Sequence, residues 1–181
     1  MKLILASGSP QRRAILEQLG VVFEVVVPDV EELAAGTARE LVVENALRKA
    51  RAVVGERVLG ADTCVSLGAR VYGKPGNEGQ ARAFLEELSG VEHEVWSAIA
   101  LIEAGVERTT ARRTRVRLRA LDRPLIDWYL GSGEWRGRAG GYAIQGRGAA
   151  LVEGIDGDYS NVVGLPIPDL LAFAPDLFGV R

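Results

Sequence analysis

The chain has 181 residues, of which 48% are hydrophobic and 25% charged, with a formal net charge of −2. That length suits one domain with a sizeable core, and the composition excludes a disordered or low-complexity chain. The near-neutral charge argues against a protein whose main task is to clamp duplex nucleic acid, and the single cysteine, Cys64, excludes an internal disulfide and any cysteine-based zinc cluster.

In chain order, an apolar strand over residues 2–6 runs into Ser7-Gly8-Ser9 and a helix over residues 10–19. Ser9 suits the N-cap, Pro10 the first helical position and Gly20 the stop, with Ile15, Leu16 and Leu19 on the apolar face. Residues 23–27 read as a second strand, ending in the acidic loop Pro28-Asp29-Val30-Glu31-Glu32. Thr37-Ala38-Arg39-Glu40 is a capping box for a helix reaching about Val54 and closed by Gly55. Residues 57–61 read as a buried strand that delivers Asp62 and Thr63 at its C-terminal end, and residues 65–72 as a hairpin turning at Gly68-Ala69. After the loop Gly73-Lys74-Pro75-Gly76, Asn77 caps a helix with Phe84, Leu85 and Leu88 inward, stopped by Gly90. Residues 91–103 and 106–119 form a long hairpin around Ala104-Gly105, and a helix follows near residues 124–131. A glycine-rich stretch with short strands fills residues 131–148, and Pro166 starts the last helix. Strands alternate with helices in the first half and cluster as hairpins in the second, which predicts an α/β fold with a mixed sheet. The opening apolar run is too short for a signal peptide, and no run approaches the ~20 residues of a membrane span, so a reducing cytoplasm is the expected compartment.

Four polar clusters carry chemistry. At Ser9 to Arg12, a helix start presents unpaired N–H groups, the positive dipole end and a guanidinium to one loop, as an anion site would; a plain N-cap with solvated arginines has the same sequence. Asp62 follows a run as apolar as Val58-Leu59-Gly60-Ala61 and sits where open α/β sheets bind ligands, if it is not a turn aspartate. Glu31 and Glu32 repel each other unless solvent or a hard divalent cation relieves them. Lys74, pinned between glycine and proline, is a point charge suited to phosphate, or else a hairpin-exit lysine. Weaker signals surround these. His93 is the only histidine and reads as an ordinary strand residue. Arg113, Arg115, Arg117 and Arg119 alternate with Thr114, Val116 and Leu118, which makes one basic face: a solvated sheet face or a protected edge in the first instance, a nucleic-acid surface in the second.

Taken together, Leu-Ala-Ser-Gly-Ser-Pro-Gln-Arg-Arg (5–13), Pro-Asp-Val-Glu-Glu (28–32), Gly-Ala-Asp-Thr (60–63), Gly-Lys-Pro (73–75), Leu-Ser-Gly (88–90), Ala-Gly-Gly-Tyr-Ala-Ile-Gln-Gly (139–146) and Gly-Asp-Tyr-Ser-Asn-Val-Val-Gly-Leu-Pro (157–166) resemble the Maf family of nucleoside triphosphate pyrophosphatases in order and spacing. The resemblance covers nearly the whole chain and implies one domain over residues 1–181. The implied fold is a two-lobed α/β structure with an elongated mixed β-sheet flanked by helices and a central cleft, similar to inosine triphosphate pyrophosphatases. The implied reaction is hydrolysis of a nucleoside triphosphate to the monophosphate and pyrophosphate. Asp62 falls on the family's catalytic aspartate. Ser9, Arg12 and Lys74 fall on phosphate-binding positions, and Glu31 joins Asp62 in holding Mg²⁺ or Mn²⁺. Gln11, Thr63 and Gln145 fall on the positions that select the base, and the Tyr-Ala-Ile-Gln-Gly-Arg-Gly form at 142–148 resembles the branch acting on dTTP and UTP. Two residues depart from the family pattern: Gln11 and Arg138 stand where arginine and lysine are usual. A homodimer is expected by analogy; no membrane partner is expected from the short apolar runs, and the net charge makes a nucleic-acid partner an unfavoured one. Two other readings stay open: a regulatory nucleotide-binding protein that restrains cell division, and a phosphatase releasing diphosphate and phosphate.

Overall fold

In the computed structural model, which describes residues 2–180, seven strands join one mixed sheet in the order β2-β1-β3-β5-β6-β7, with β4 paired to β3. The strands are β1 (Leu3–Ala6), β2 (Phe23–Val26), β3 (Arg57–Leu67), β4 (Arg70–Tyr72), β5 (Glu92–Glu103), β6 (Val106–Leu118) and β7 (Val152–Asp156). The helices are α1 (Pro10–Gln18), α2 (Ala38–Arg51), α3 (Glu78–Leu88), α4 (Arg123–Leu130), α5 (Tyr159–Val163) and α6 (Ile167–Phe173). β1 runs parallel to β2 and to β3, whereas β4 is antiparallel to β3 and β7 to β6. The mixed α/β sheet expected from the alternation pattern is therefore present. The chain divides into two compact units. The first comprises the residues up to Thr63, Ser97–Arg112 and those from Gly164 onward; the second comprises Cys64–Trp96 and Arg113–Val163.

In the first unit, Leu3, Leu5, Leu16, Leu59, Ile99 and Leu101 are fully buried and form the centre of its core. α1 starts as expected, with the Ser9 side chain accepting from the Arg12 N–H and Pro10 at the first turn. It ends one residue short: Leu19 is the C-cap and is 43% exposed, so only Ile15 and Leu16 carry the apolar face. The Thr37–Glu40 capping box forms in both directions, and α2 closes at Arg51 rather than near Val54. Arg48, Lys49 and Arg51 complement the negative dipole end of that last turn.

β3 differs from expectation in a way that matters for the site. It is one continuous strand from Arg57 to Leu67, so Asp62 lies within it rather than past its end. The strand continues because Cys64, Val65 and Ser66 stay buried beyond the polar pair Asp62-Thr63. The parallel ladder with β1, however, stops at the Ala6–Gly60 pair, so Asp62 still follows the end of the β1–β3 pairing. Gly60 is what brings α2 down onto β3: a Cβ there would meet the Ala46 carbonyl oxygen at 2.1 Å and the Ala50 nitrogen at 2.8 Å. Both are backbone atoms and cannot swing aside. Gly60→Ala is therefore expected to cost about 1–3 kcal/mol through overpacking, or roughly 2–12 °C of Tm for a chain of this size. A thermal melt checks this, and an unchanged Tm would contradict the close packing.

In the second unit, Tyr72, Leu85, Leu88, Tyr129 and Leu151 are fully buried, and Tyr72 meets Phe84 edge-to-face at 5.1 Å. The short strands expected within residues 131–148 are absent. Gly133, Gly137, Gly140, Gly141 and Gly146 all have φ between 63° and 74°, and a run of left-handed residues cannot carry a strand ladder. Turns and short 3₁₀ segments at 139–141 and 146–150 replace them. The arginine row of β6 is not an edge, since β7 pairs beyond it. Arg113 pairs with Glu94 at 2.9 Å and Arg115 with Asp156 at 2.5 Å, while Glu92 lies 3.7 Å from both Arg115 and Arg117. The basic face is a cross-strand charge ladder.

Candidate active site

The site is built in the first unit, where the end of β1, the start of α1, the middle of β3 and the last turns of α2 meet. Ser7 and Ser9 organise the loop: the Ser9 N–H donates to Ser7 Oγ at 3.3 Å, and Ser9 Oγ donates to Gln11 Oε1 at 3.3 Å. Within the first turn of α1, Pro10 carries no N–H, the Arg12 N–H donates to Ser9 Oγ at 3.5 Å and the Arg13 N–H donates to the Ser9 carbonyl at 3.2 Å, so Ser9 itself satisfies much of the helix start.

Arg12 takes a different part from the one its charge suggests. It is only 8% exposed, and its guanidinium makes four hydrogen bonds to the protein. Nε donates to the Gly164 carbonyl at 2.8 Å, Nη1 to Ser7 Oγ and the Ala61 carbonyl at 2.9 Å each, and Nη2 to Thr63 Oγ1 at 2.9 Å. With five donors on a guanidinium, little remains for a phosphate. Arg12 clamps β1, β3 and the Gly164 segment together. Burial lowers its pKa, while the charges of Asp62 and Glu32 act the other way.

Asp62 is buried and ionically tied. Its Oδ1 accepts from Lys49 Nζ at 2.6 Å, and its Oδ2 from Asn45 Nδ2 at 3.4 Å. Lys49 Nζ also lies 2.7 Å from Glu32 Oε1, so one buried ammonium bridges two carboxylates. Asn45 fixes the acidic loop to α2: its Oδ1 accepts from the Leu33 N–H at 2.7 Å and its Nδ2 donates to the Leu33 carbonyl at 3.1 Å. Glu31 is placed otherwise. Like Glu32 it is exposed, but its contact with α2 is its carbonyl, which accepts from Arg48 Nη1 at 3.2 Å. Of the two adjacent acids, the structure brings Glu32 to Asp62's lysine.

Asn45 and Lys49 escaped the sequence reading. They occupy the Leu41–Asn45–Lys49 row, one helical turn apart, on the buried side of α2. Two polar residues in an apolar register were the available signal, since such groups are buried only when satisfied. Thr63 is half-buried; its hydroxyl shares a 2.8 Å hydrogen bond with Ser97 Oγ besides accepting from Arg12.

Lys74 and Gln145 belong to the second unit and are both exposed. The segments carrying them are joined there, because the Gly140 N–H donates to the Gly73 carbonyl at 3.0 Å. His93 is also more than an ordinary strand residue. It is fully buried, with Nε2 2.6 Å from the Tyr142 hydroxyl in the 139–146 motif. Burial pushes its pKa down to about 4, with the Val91 backbone acting the other way. The unfolded chain therefore takes up the proton first. The stability this neutral ring confers is complete above about pH 6.5 and drains away as pH falls toward 4, on the order of 3 kcal/mol in all. His93→Gln, which can keep the Tyr142 bond, is expected to lose that component of the acid sensitivity between pH 6.5 and 4. Denaturant titrations across this range check it, and an identical pH slope in the variant would contradict it.

Comparison with known proteins meets this geometry at the level of the whole chain. A family model described as "Maf-like protein" matches residues 2–176. The dTTP/UTP pyrophosphatase of Gloeobacter violaceus is 49% identical over 181 residues, covering 95% of each chain. That of Symbiobacterium thermophilum is 48% identical, covering 92% of this chain and 89% of its own. That of Bacillus cereus is 46% identical, covering 94% and 87%. Among solved structures, the Staphylococcus aureus Ham1 protein is similar with a TM-score of 0.46 and 14% identity, over 65% of this chain and 72% of that one. With a family model spanning nearly every residue and relatives close to half identical from end to end, this chain belongs to the Maf-like protein family.

Proposed function

We propose that this chain hydrolyses dTTP and UTP to the monophosphate and pyrophosphate, the activity named for its relatives. The observation that carries the reading is Lys49 bridging Asp62 and Glu32, with Arg12 of α1 bonded to Ala61 and Thr63 on either side of Asp62. Asp62, Glu32, Lys49 and Arg12 sum to zero charge, which suits a site that must neither repel nor trap a highly charged anhydride. Asp62 orients the attacking water and takes its proton. Ser9 and Lys74 bind phosphate oxygens, and the positive dipole end of α1 helps stabilise charge that builds on the leaving group. Lys49 supplies positive charge next to Asp62, and Arg12 holds the strand ends that position both. Gln11 and Gln145 read the base through amides that both donate and accept, and Thr63, whose hydroxyl is engaged by Arg12 and Ser97, contributes to the same selection by its shape and position.

The residues fit a hard divalent cation. Asp62 and Glu32 are the two oxygen donors, both turned to the Lys49 ammonium, and because no set of three or more His, Cys, Asp or Glu suited to a metal occurs among the described residues, substrate phosphates would have to supply the remaining ligands. Two carboxylates with substrate phosphates completing the shell is the arrangement Mg²⁺ or Mn²⁺ favours. In this reading Glu32 takes the place first expected for Glu31. When bound, the cation supplies Lewis-acid charge stabilisation to the phosphoryl oxygens. The same proposal takes the enzyme as a cytoplasmic homodimer; no helix among the described residues is long and apolar enough to cross a membrane. Light scattering on the purified protein reports the oligomeric state.

The test is a panel of nucleoside triphosphates assayed for pyrophosphate with excess EDTA, then with Mg²⁺ or Mn²⁺ restored. Turnover of dTTP and UTP that is silenced by EDTA and rescued by metal is the expected result. Turnover persisting in EDTA would remove the metal, and diphosphate plus phosphate as products would make the protein a phosphatase instead.

A further inference from the structure

We propose that Glu134 is a positioning residue for base selection, acting through the loop that carries Gln145. The inference rests on the reading of Gln145 as a base-reading side chain. Gln145 is exposed at the head of the 3₁₀ segment Gly146–Ala150, and its side chain makes no cap to that segment. The backbone around it is held from one side. Glu134 Oε1 accepts from the Arg147 N–H at 3.0 Å, and Oε2 accepts from the Gly148 N–H at 3.2 Å. One carboxylate thus takes two successive backbone donors, two and three residues after Gln145, the concave arrangement that binds an anion.

The opposite end of the loop is held by the same stretch of chain. The Ala143 N–H donates to the Tyr129 hydroxyl at 3.0 Å. Ser132 links the two anchors: its Oγ donates to the Tyr129 carbonyl at 2.6 Å and accepts from the Glu134 N–H at 3.1 Å. Arg147 adds a bond from Nη1 to the Trp128 carbonyl at 3.2 Å and lies over the Trp128 ring at 5.0 Å. Residues 144–146 lie between these two anchor points, and Gln145 is their centre. Gly146 belongs to the device. Its φ is +63°, and a Cβ there would meet Glu134 Oε1 at 2.6 Å, so glycine is what lets the carboxylate sit beneath the turn.

Selection depends on this clamp because a glutamine amide is ambiguous. One orientation meets the N3–H and O4 of uracil or thymine, and the flipped orientation meets the edge of cytosine. The amide alone chooses neither; the position at which the backbone sets it down does. A loosened loop lets the amide adapt to the wrong base, while the hydrolytic step run by Asp62 continues.

Glu134→Ala, Glu134→Gln and Gln145→Ala are compared by kcat and KM for dTTP, UTP and dCTP, alongside amide NMR spectra. Glu134→Ala is expected to lower the dTTP:dCTP ratio of kcat/KM by roughly tenfold to a hundredfold, through KM for dTTP and with kcat for dTTP nearly unchanged. Glu134→Gln, which keeps one acceptor oxygen, is expected to recover part of that ratio. Gln145→Ala that collapses the ratio while Glu134→Ala keeps it would overturn the proposal, and so would an equal loss of kcat for every nucleotide, the mark of a merely structural role. If Gln145→Ala keeps the wild-type ratio, the reading of Gln145 fails instead. The amides of Arg147 and Gly148 then judge the clamp on their own: resonances that move in Glu134→Gln support it, and unmoved resonances overturn it.

Discussion

Asp62→Asn is expected to lower kcat for dTTP by about 10²–10⁴-fold, the span of a lost general base, while the protein stays folded. The amide matches the carboxylate in shape, and its oxygen can still accept from Lys49, while its NH2 group replaces the oxygen that accepts the longer 3.4 Å bond from Asn45, so only that weaker bond is lost. What it cannot do is take a proton from water or hold a divalent cation as an anion. Lys49 keeps a carboxylate partner in Glu32, which prevents the substitution from stranding a buried ammonium. Steady-state kinetics together with a thermal melt separate the two effects. Near-normal turnover in the variant would remove Asp62 from the chemistry, and a collapsed melt would make its role structural.

Lys49→Met is expected to destabilise the protein by about 3–5 kcal/mol at neutral pH, the cost of breaking a buried ion pair from one side. Both Lys49 and Asp62 have side chains about a tenth exposed, so water cannot replace the lost ammonium at Asp62. Glu32, facing the same ammonium at 2.7 Å, adds like-charge repulsion. Combining Lys49→Met with Asp62→Asn should restore part of the loss, because the uncompensated charge goes with the carboxylate; the double-mutant cycle reads the coupling directly. Additive destabilisation, or a Lys49→Met protein as stable as the parent, would show that the pair does not carry the energy the geometry assigns it. Activity should fall with stability here, since the same ammonium contributes charge to the site.

What could be read from the sequence follows the range of the forces involved. The strand, N-cap serine, N1 proline and helix of residues 3–18 are set by local chemistry, and they appear in the structure nearly residue for residue. The Thr37–Glu40 capping box is legible for the same reason. The candidate site is less so, because it depends on burial and on which way a side chain turns. Arg12 reads as a free cation in sequence; burial makes it a clamp whose donors are taken by Ser7, Ala61, Thr63 and Gly164. Glu31 and Glu32 are equivalent until Asn45 pins Leu33 and turns only the second toward Lys49. Lys49 is one of several basic residues near the end of α2, and only the close approach permitted by Gly60 sets it over Asp62. The glycine-rich stretch reads as strands in sequence and folds as turns, because the sign of φ is not written in a sequence.

The central claim is that water attacks the α-phosphorus under the control of Asp62, and hydrolysis of dTTP in ¹⁸O-labelled water tests it most directly. The account predicts one ¹⁸O atom in the dTMP released and none in the pyrophosphate. Label in the pyrophosphate, or in inorganic phosphate with dTDP as the other product, would contradict it.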